Sequence, residues 1–250
     1  EFHKRSENWK NVYDSRLGFM RPKLSDGNFR QNFDVLETHG QGFIEGNAWN
    51  YSLYVPHNPE GLMKTMGGEA RFSRYLDSLF TMHLPDEFFA NTEDITREGI
   101  IGNYVHGNEP AHHVAYLYNI TSRPWKTQET IRMILNNQYA NGPDGLRGND
   151  DCGQMSAWYL FSSLGFYPVS PGSDEYWIGS PLVHEAKINL ENGKTFAIES
   201  VNPGEKNVYI EKILLNGKSL NGLKIKHSDI VNGGKIQFFM TPKKPKQKTK

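Results

Sequence analysis

Two segments of the sequence place carboxylates beside glycine and amide or aromatic side chains: Glu45-Gly46-Asn47-Ala48-Trp49 and Gly148-Asn149-Asp150-Asp151. Aromatic neighbours exclude water from a carboxyl group and raise its pKa, so Glu45 has the surroundings expected of a general acid. In the second segment, Asp151 can act as a general base on water, and either aspartate can help to hold a cation. A structural alternative stays open, because all three acids precede predicted helices that they can cap.

A third segment, His106-Gly107-Asn108-Glu109-Pro110-Ala111-His112-His113, combines amide, carboxylate and imidazole groups. The side-chain oxygens of Asn108 and Glu109 are hard ligands of the kind that Ca²⁺ takes. Three histidines and a glutamate can instead indicate zinc, although neither usual zinc-helix spacing, His-Glu-x-x-His or His-x-x-Glu-His, is present. A helix start with satisfied histidines is a third interpretation.

Two carboxyl groups on separate loops are what glycoside hydrolysis requires. One protonates the leaving oxygen, and the other activates water or attacks the anomeric carbon. The sequence does not give their separation, so the stereochemical outcome does not follow from the spacing.

The acidic and amide segments lie between predicted helices. Apolar residues recur at helical spacing over residues 61–83, with a break at Gly67-Gly68, and again over 125–139 and 153–164. Gly165 is a natural stop for the last of these helices. The chain is therefore predicted to be mainly helical to about residue 172.

After Pro171 the pattern becomes typical of short strands. The predicted strands are Tyr176–Ile178, Ala186–Leu190, Thr195–Glu199, Asn207–Lys212 and Ile236–Met240. Three dipeptides that contain glycine predict hairpin turns: Asn192-Gly193, Asn216-Gly217 and Gly233-Gly234. The fold class is accordingly mainly α with a C-terminal antiparallel β region, divided into residues 1–172, 173–242 and a Lys-rich tail at 243–250.

Composition narrows the class of protein. The formal net charge of +0 argues against a nucleic-acid partner, because binding phosphates needs a surplus of Lys and Arg. Cys152 is the only cysteine, which excludes an intrachain disulfide. No apolar run has the length of a membrane helix, and neither a signal peptide nor an initiator Met is present. We therefore expect a fragment or a processed product.

Seven motifs, in order, resemble glycoside hydrolase family 92, and the likeness extends from about Arg5 to Met240. They are Gly18-Phe19-Met20-Arg21-Pro22, Glu45-Gly46-Asn47-Ala48-Trp49, Val55-Pro56-His57, Gly107-Asn108-Glu109-Pro110, Pro124-Trp125-Lys126-Thr127-Gln128, Gly148-Asn149-Asp150-Asp151, and Ser163-Leu164-Gly165-Phe166-Tyr167-Pro168-Val169. The resemblance implies an exo-acting, inverting α-mannosidase that depends on Ca²⁺ and removes terminal α-linked mannose from glycans.

The resemblance also implies roles for individual residues. Glu45 matches the general acid, and Asp151 matches the base, with Asp150 as a further catalytic carboxylate. Asn149 departs from the family pattern, since many members have Asp at that position. The implied calcium ligands are Asn108, Glu109 and Asp151; the implied substrate-binding residues are Asn47, Trp49, His112, His113 and Gln154.

The fold implied by the resemblance is part of an (α/α)₆ toroid, followed by strands that belong to a β-sandwich. An N-terminal β-sandwich and the early barrel region of the same enzyme would then be missing partners, and a secreted, periplasmic or cell-surface location is expected. Two other classes stay open: a metal-free toroid glycosidase or lyase, and a non-catalytic carbohydrate-binding fragment. Linkage preference does not follow from the sequence.

Overall fold

The computed structural model describes residues 1–38, 40–85, 88 and 97–245, and it contains two compact units. The first unit comprises Glu1–Ala111 together with Arg147–Asn149, and the second comprises His112–Leu146 together with Asp150–Lys250. Residues 246–250 of the predicted Lys-rich tail lie outside the described residues. The sequence-based division at about residue 172 was drawn from secondary structure, and it stays a prediction.

Seven α-helices lie in the described part of the chain. They are α1 (Phe2–Arg5), α2 (Ala48–Tyr51), α3 (Pro59–Thr65), α4 (Glu69–Thr81), α5 (Trp125–Asn137), α6 (Gln154–Leu164) and α7 (His227–Val231). Short 3₁₀ helices cover Asn8–Val12, Arg97–Gly99, Glu109–Ala111 and Val114–Ile120. The predicted helices at 61–83, 125–139 and 153–164 are confirmed, and Gly165 ends α6 in the left-handed conformation.

The strands form one larger sheet and three small ones. In chain order they are β1 (Tyr13–Asp14), β2 (Phe19–Met20), β3 (Ile100–Ile101), β4 (Tyr104–Val105), β5 (Phe166–Tyr167), β6 (Glu175–Ile178), β7 (Glu185–Asn189), β8 (Thr195–Val201), β9 (Tyr209–Leu215), β10 (Lys218–Ser219), β11 (Lys224–Lys226) and β12 (Gly234–Thr241). All five strands predicted after residue 171 are present, with ends shifted by a few residues.

The first unit is organised around α4. Its apolar side chains Phe72, Tyr75, Leu76 and Leu79 recur at spacings of three and four residues, so they share one face, and all are buried. The preceding helix, α3, starts with Pro59 and is capped by Asn58, whose side-chain oxygen accepts a hydrogen bond from the Gly61 N–H at 3.0 Å. The break between the helices lies at Gly67-Gly68, as predicted.

The second unit contains a five-stranded sheet in the order β10-β9-β12-β8-β7. The turns at Asn192-Gly193 and Asn216-Gly217 form hairpins between consecutive strands, as predicted. The predicted antiparallel pairing is present in three of the four strand pairs of this sheet, and the exception is β12, which pairs parallel with β8. The predicted hairpin at Gly233-Gly234 is wrong: helix α7 precedes these glycines, and β12 enters the sheet between β8 and β9, which are distant from it in sequence.

The core of the second unit lies between this sheet and the end of α6. Alternate residues of β8 and β12, including Phe196, Ile198, Ile236 and Phe238, are at most 1% exposed and pack with Phe166. Helix α5 is joined to β9 through Gln128, whose side-chain oxygen accepts the Ile210 N–H at 3.1 Å. Within the described residues, no helix is both long and apolar enough to cross a membrane.

Candidate functional site

The loop at Glu45 is organised by Asn47, which caps α2. The Asn47 side-chain oxygen accepts hydrogen bonds from the backbone N–H groups of Trp49 (3.1 Å) and Asn50 (3.4 Å). Its side-chain nitrogen donates to Asn103 Oδ1 at 3.1 Å and to the Leu36 carbonyl at 3.2 Å. Asn47 is therefore buried and engaged in structural contacts, and the capping role that we considered for Glu45 belongs to Asn47 instead.

The Glu45 side chain is exposed, which differs from the desolvation expected of its aromatic neighbours. The physical reason is the direction of those rings. Trp49 packs against Phe19 at a centroid distance of 5.0 Å and against Tyr75 at 4.5 Å. Tyr51 stacks on Phe43 at 5.3 Å. The predicted role of Trp49 in substrate binding stays a prediction, and these contacts show that its ring also stabilises the first unit.

Asn108 lies against the backbone of Glu45. Its side-chain nitrogen donates to the Glu45 carbonyl at 2.6 Å, so two residues distant in sequence are joined within the first unit. Among the atoms that the structure describes, Asn108 Oδ1 is buried and has no hydrogen-bond partner. A buried carbonyl oxygen without a partner is costly, so this atom is available to accept a hydrogen bond or to bind a cation. The adjacent Glu109 is half-buried and begins the 3₁₀ helix Glu109–Ala111, which packs against α2.

A close crossing of two backbones holds the Asn108 segment in the first unit. A Cβ atom on Gly148 would lie 2.6 Å from Gly107 Cα, and one on Gly107 would lie 2.5 Å from the Arg147 carbonyl oxygen. Neither position can accept a larger residue without movement of the main chain. The two glycines therefore allow Arg147–Asn149 to pack beside the residue that precedes Asn108.

Tyr51 is a residue of this region that the sequence did not single out for chemistry. Burial raises the pKa of its phenol; hydrogen bonds from the Glu45 backbone and the Asn108 side chain oppose this change, while the charges of Glu45 and Glu109 reinforce it. The Tyr51 hydroxyl group therefore interacts with Glu45, the predicted acid, and with Asn108 and Glu109, the predicted calcium ligands of the first unit. The only signal in the sequence is its position in the first turn after Trp49.

The histidine-rich segment does not form the cluster that the zinc alternative needs. Within residues 1–38, 40–85, 88 and 97–245, no three His, Cys, Asp or Glu side chains converge to hold a metal ion. His106 is fully buried, and its Nδ1 is hydrogen-bonded to the Tyr104 hydroxyl at 2.8 Å. These contacts favour the interpretation of packed, satisfied histidines.

In the second unit, Asp150 and Asp151 have different surroundings. The Asp150 oxygens accept hydrogen bonds from the Ser156 N–H at 2.8 Å and the Ser156 hydroxyl at 2.7 Å. These bonds hold the pKa of the Asp150 carboxyl below its usual range. Asp151 is exposed, and both it and Cys152 have positive φ angles of 44° and 56°. Asp150 is thus engaged at the start of α6, whereas Asp151 is exposed.

Gln154 connects two side chains of the second unit. Its side-chain nitrogen contacts His112 Nδ1 at 3.2 Å and the Tyr167 hydroxyl at 3.0 Å. His112 and His113 are 1% and 4% exposed, and the His112 carbonyl accepts the Trp158 indole N–H at 2.9 Å. The structure therefore brings His112 and Gln154 together. It adds Tyr167, which the sequence indicated only as part of a motif.

Comparisons with known proteins identify the family of this chain. Residues 1–242 match the profile described as the glycosyl hydrolase family 92 catalytic domain. A solved family 92 α-mannosidase from Bacteroides thetaiotaomicron is 42% identical with a TM-score of 0.90, over 99% of this chain and 32% of that one. A family 92 inverting mannosidase from Bacteroides thetaiotaomicron VPI-5482 is 36% identical with a TM-score of 0.84, over 96% of this chain and 33% of that one.

A curated relative from Arthroderma benhamiae, described as an uncharacterized secreted glycosidase, is 26% identical over 265 residues, covering 96% of this chain and 32% of the relative. These matches define the class as glycoside hydrolases. The chain belongs to glycoside hydrolase family 92, because the family profile covers nearly all of it. It spans about a third of the length of the relatives that it matches.

Proposed function

We propose that the protein to which this chain belongs hydrolyses terminal α-linked mannose from glycans, as an exo-acting, inverting enzyme that uses calcium. Family membership supports glycosidase chemistry, and similar solved proteins are described as α-mannosidases, one of them inverting. The observation that carries the proposal is the 2.6 Å hydrogen bond from the Asn108 side chain to the Glu45 carbonyl. It ties a predicted calcium ligand to the predicted general acid.

The residues fit a calcium ion. Asn108 Oδ1 is a buried hard oxygen without a partner among the described atoms, and its orientation is fixed by the bond that the same amide donates to Glu45. Asn108 Oδ1 and the Glu109 carboxylate are oxygen donors of the kind that Ca²⁺ prefers, and the family resemblance adds the carboxylate of Asp151. When bound, calcium would supply coordination for the 2- and 3-hydroxyls of a terminal mannoside and favour distortion of its ring.

The chain's own residues would move the protons. Glu45 would donate a proton to the departing glycosidic oxygen, and Asp151 would take a proton from the attacking water. Exposure of both side chains leaves them accessible to substrate. Asp150 would hold the start of α6 through Ser156 and so support the backbone that carries Asp151.

We also propose the remaining features implied by the family. The helical part of the chain would belong to an (α/α)₆ toroid and the later strands to a β-sandwich. An N-terminal β-sandwich and the early barrel region would complete the enzyme, since the solved relatives are about three times as long as this chain. A secreted, periplasmic or cell-surface location is supported by the relative described as secreted.

The test is release of mannose from α-linked mannobioses by the longest natural form of the protein that carries this chain, before and after Glu45→Gln. The variant should lose about a hundredfold to ten-thousandfold in kcat, because it cannot donate the acid proton. Glu60→Gln is the matched control, since Glu60 is an exposed glutamate of the same unit and lies in the first turn of α3. Undiminished activity of Glu45→Gln would remove the acid assignment.

Two further measurements separate the alternatives. If calcium is required, EGTA should abolish activity and added Ca²⁺ should restore it, whereas activity that survives EGTA would favour a metal-free glycosidase. NMR of the first-formed mannose anomer checks inversion. A protein that binds mannosides without releasing mannose would instead be a carbohydrate-binding module.

A further inference from the structure

The contacts of Gln154 determine how its amide is used. A primary amide nitrogen has two hydrogens, and Gln154 Nε2 has two partners in the second unit: His112 Nδ1 at 3.2 Å and the Tyr167 hydroxyl oxygen at 3.0 Å. Both hydrogens are therefore committed to protein atoms. This arrangement makes His112 Nδ1 an acceptor.

The proton of a neutral imidazole must then lie on the other ring nitrogen. A neutral histidine carries one proton, and the partner of one nitrogen decides where that proton lies. His112 is 1% exposed, so bulk water does not compete for the ring. With Gln154 donating to Nδ1, the proton is on Nε2.

The rest of His112 is also fixed. Its carbonyl accepts the Trp158 indole N–H at 2.9 Å, and Trp158 is fully buried. The Trp158 ring is parallel to that of Tyr139, with centroids 6.0 Å apart and an interplanar angle of 3°. The backbone of His112 is thus held by one residue of α6 and its ring by another, Gln154.

We propose that Gln154 is a positioning residue that fixes His112 as the Nε2–H tautomer, rather than a residue that binds substrate directly. The assignment of the ring proton stands on the contacts within the second unit. Its consequence for catalysis rests on the proposed function, in which His112 is one of the substrate-binding residues.

The first test is ¹⁵N NMR of the whole chain labelled at histidine, well above the ordinary histidine pKa of about 6.5. The His112 signals are assigned by through-bond correlation to its own Cβ. We expect an unprotonated Nδ1 and a protonated Nε2. A protonated Nδ1, or a mixture of the two tautomers, would overturn the proposal.

Two variants then test whether Gln154 is the cause. Gln154→Glu replaces the donor by an acceptor of the same length, so the proton should move to Nδ1. Gln154→Met removes both hydrogens at similar volume and should give a mixture of tautomers. An unchanged Nε2–H tautomer in both variants contradicts the role of Gln154. If near-UV circular dichroism shows that the variants do not fold, the wild-type spectrum still decides the tautomer.

Tyr139→Phe is the matched control. It removes a hydroxyl that donates to the Met155 carbonyl at 3.1 Å and that has no contact with Gln154 in the described structure. The His112 tautomer should stay as in the wild type. A change in Tyr139→Phe equal to that in Gln154→Met would show that general loosening of α6, and not the Gln154 amide, sets the proton position.

The kinetic test depends on the proposed function. In an active protein, Gln154→Met should raise KM for an α-mannobiose about fivefold to tenfold, with a smaller change in kcat, as expected for one disturbed neutral hydrogen bond. An unchanged KM together with a lost tautomer would overturn the link between His112 and substrate. If the wild type releases no mannose, the proposed function fails, and the NMR result decides the positioning role separately.

Discussion

In the loop around Glu45, the N-cap residue Asn47 caps the following helix with its own side chain. In the loop around Asp151, the N-cap residue of α6 is Gly153, and Asp150, three positions earlier, takes the capping role by accepting the Ser156 N–H of the first turn. Both loops separate the capping residue from a neighbouring carboxylate that is exposed to solvent. The caps differ in kind. Asn47 is neutral, buried and bonded to Asn103, while Asp150 is charged, half-buried and bonded to Ser156.

This difference follows from burial. A charged cap in the interior would need a compensating charge, so an amide is the better choice in the buried loop. In the more exposed loop, the partial positive charge at the start of α6 favours a carboxylate. In each loop one residue, Asn47 or Asp150, stabilises the start of the following helix. The neighbouring acid, Glu45 or Asp151, is therefore available for chemistry.

The backbones of the two loops also differ. Gly46 takes the positive φ of the first loop (121°), whereas the second loop places Asp151 and Cys152 at 44° and 56°. Side-chain-bearing residues pay a conformational cost in this region, and such strain persists where the surrounding structure enforces it. The second loop is therefore the strained one.

The largest expected effect comes from comparing the variants Asp151→Asn and Asp150→Asn, which tests whether the two aspartates have separate roles. Both variants exchange a carboxylate for an amide of the same shape, and Asn caps helices as well as Asp does. We expect Asp151→Asn to lower kcat about a thousandfold and Asp150→Asn about tenfold at most. Steady-state kinetics with an α-mannobiose measures both. Equal losses would show that the two aspartates are not separable into base and cap.

The next largest effect concerns the buried cap. Asn47→Ala should lower the free energy of unfolding by about 2–3 kcal/mol, because it leaves the Trp49 N–H and the Asn103 side chain without their partner in the interior. Asn47→Ser keeps a capping oxygen but does not reach Asn103, so it should cost about half as much. Urea unfolding measures both, and equal losses would assign the whole effect to the contact with Asn103.

A smaller effect is expected for the charged cap. Asp150→Ala should cost about 1 kcal/mol near neutral pH. Hydrogen bonds from Ser156 lower the pKa of Asp150 from its ordinary value of 3.8. The stabilisation that Asp150 gives the folded protein is therefore complete above pH 3.8. It disappears as the pH falls through the lower pKa that Asp150 has in the folded state. Urea unfolding of wild type and variant should converge at low pH; a constant difference would contradict the role of the charge.

The smallest effect tests the strain. Cys152→Gly should stabilise the protein by about 0.5 kcal/mol, since relief of the positive φ slightly exceeds the added flexibility of the unfolded chain. Cys152→Ser keeps the side chain while removing the thiol, so it should leave stability unchanged. Thermal unfolding compares the two. Equal stabilisation by Ser and Gly would mean that the thiol, and not the backbone, is responsible.

Much of the secondary structure, and the family, could be predicted from the sequence. The apolar spacing of residues 61–83 predicted α3 and α4, and Asn192-Gly193 and Asn216-Gly217 predicted their hairpins, because these signals act between neighbours in the chain. The ordered motifs around Glu45, Asn108 and Asp151 predicted the family. What local signals could not predict was that Gly233-Gly234 follows a helix and leads into a parallel pairing with β8, since partners distant in sequence decide that register.

The sequence by itself determined which side chains can do chemistry and the order in which they occur. Only the tertiary structure decided which contacts each side chain makes. Asn47 rather than Glu45 caps α2, and Asp150 rather than Asp151 is bonded to Ser156. Gln154 contacts His112. The physical reason is that a carboxylate or amide acquires its role from the donors and acceptors that packing brings to it. Asn103 and His112, the partners of Asn47 and Gln154, lie 56 and 42 residues away along the chain, whereas Ser156 lies only six residues from Asp150.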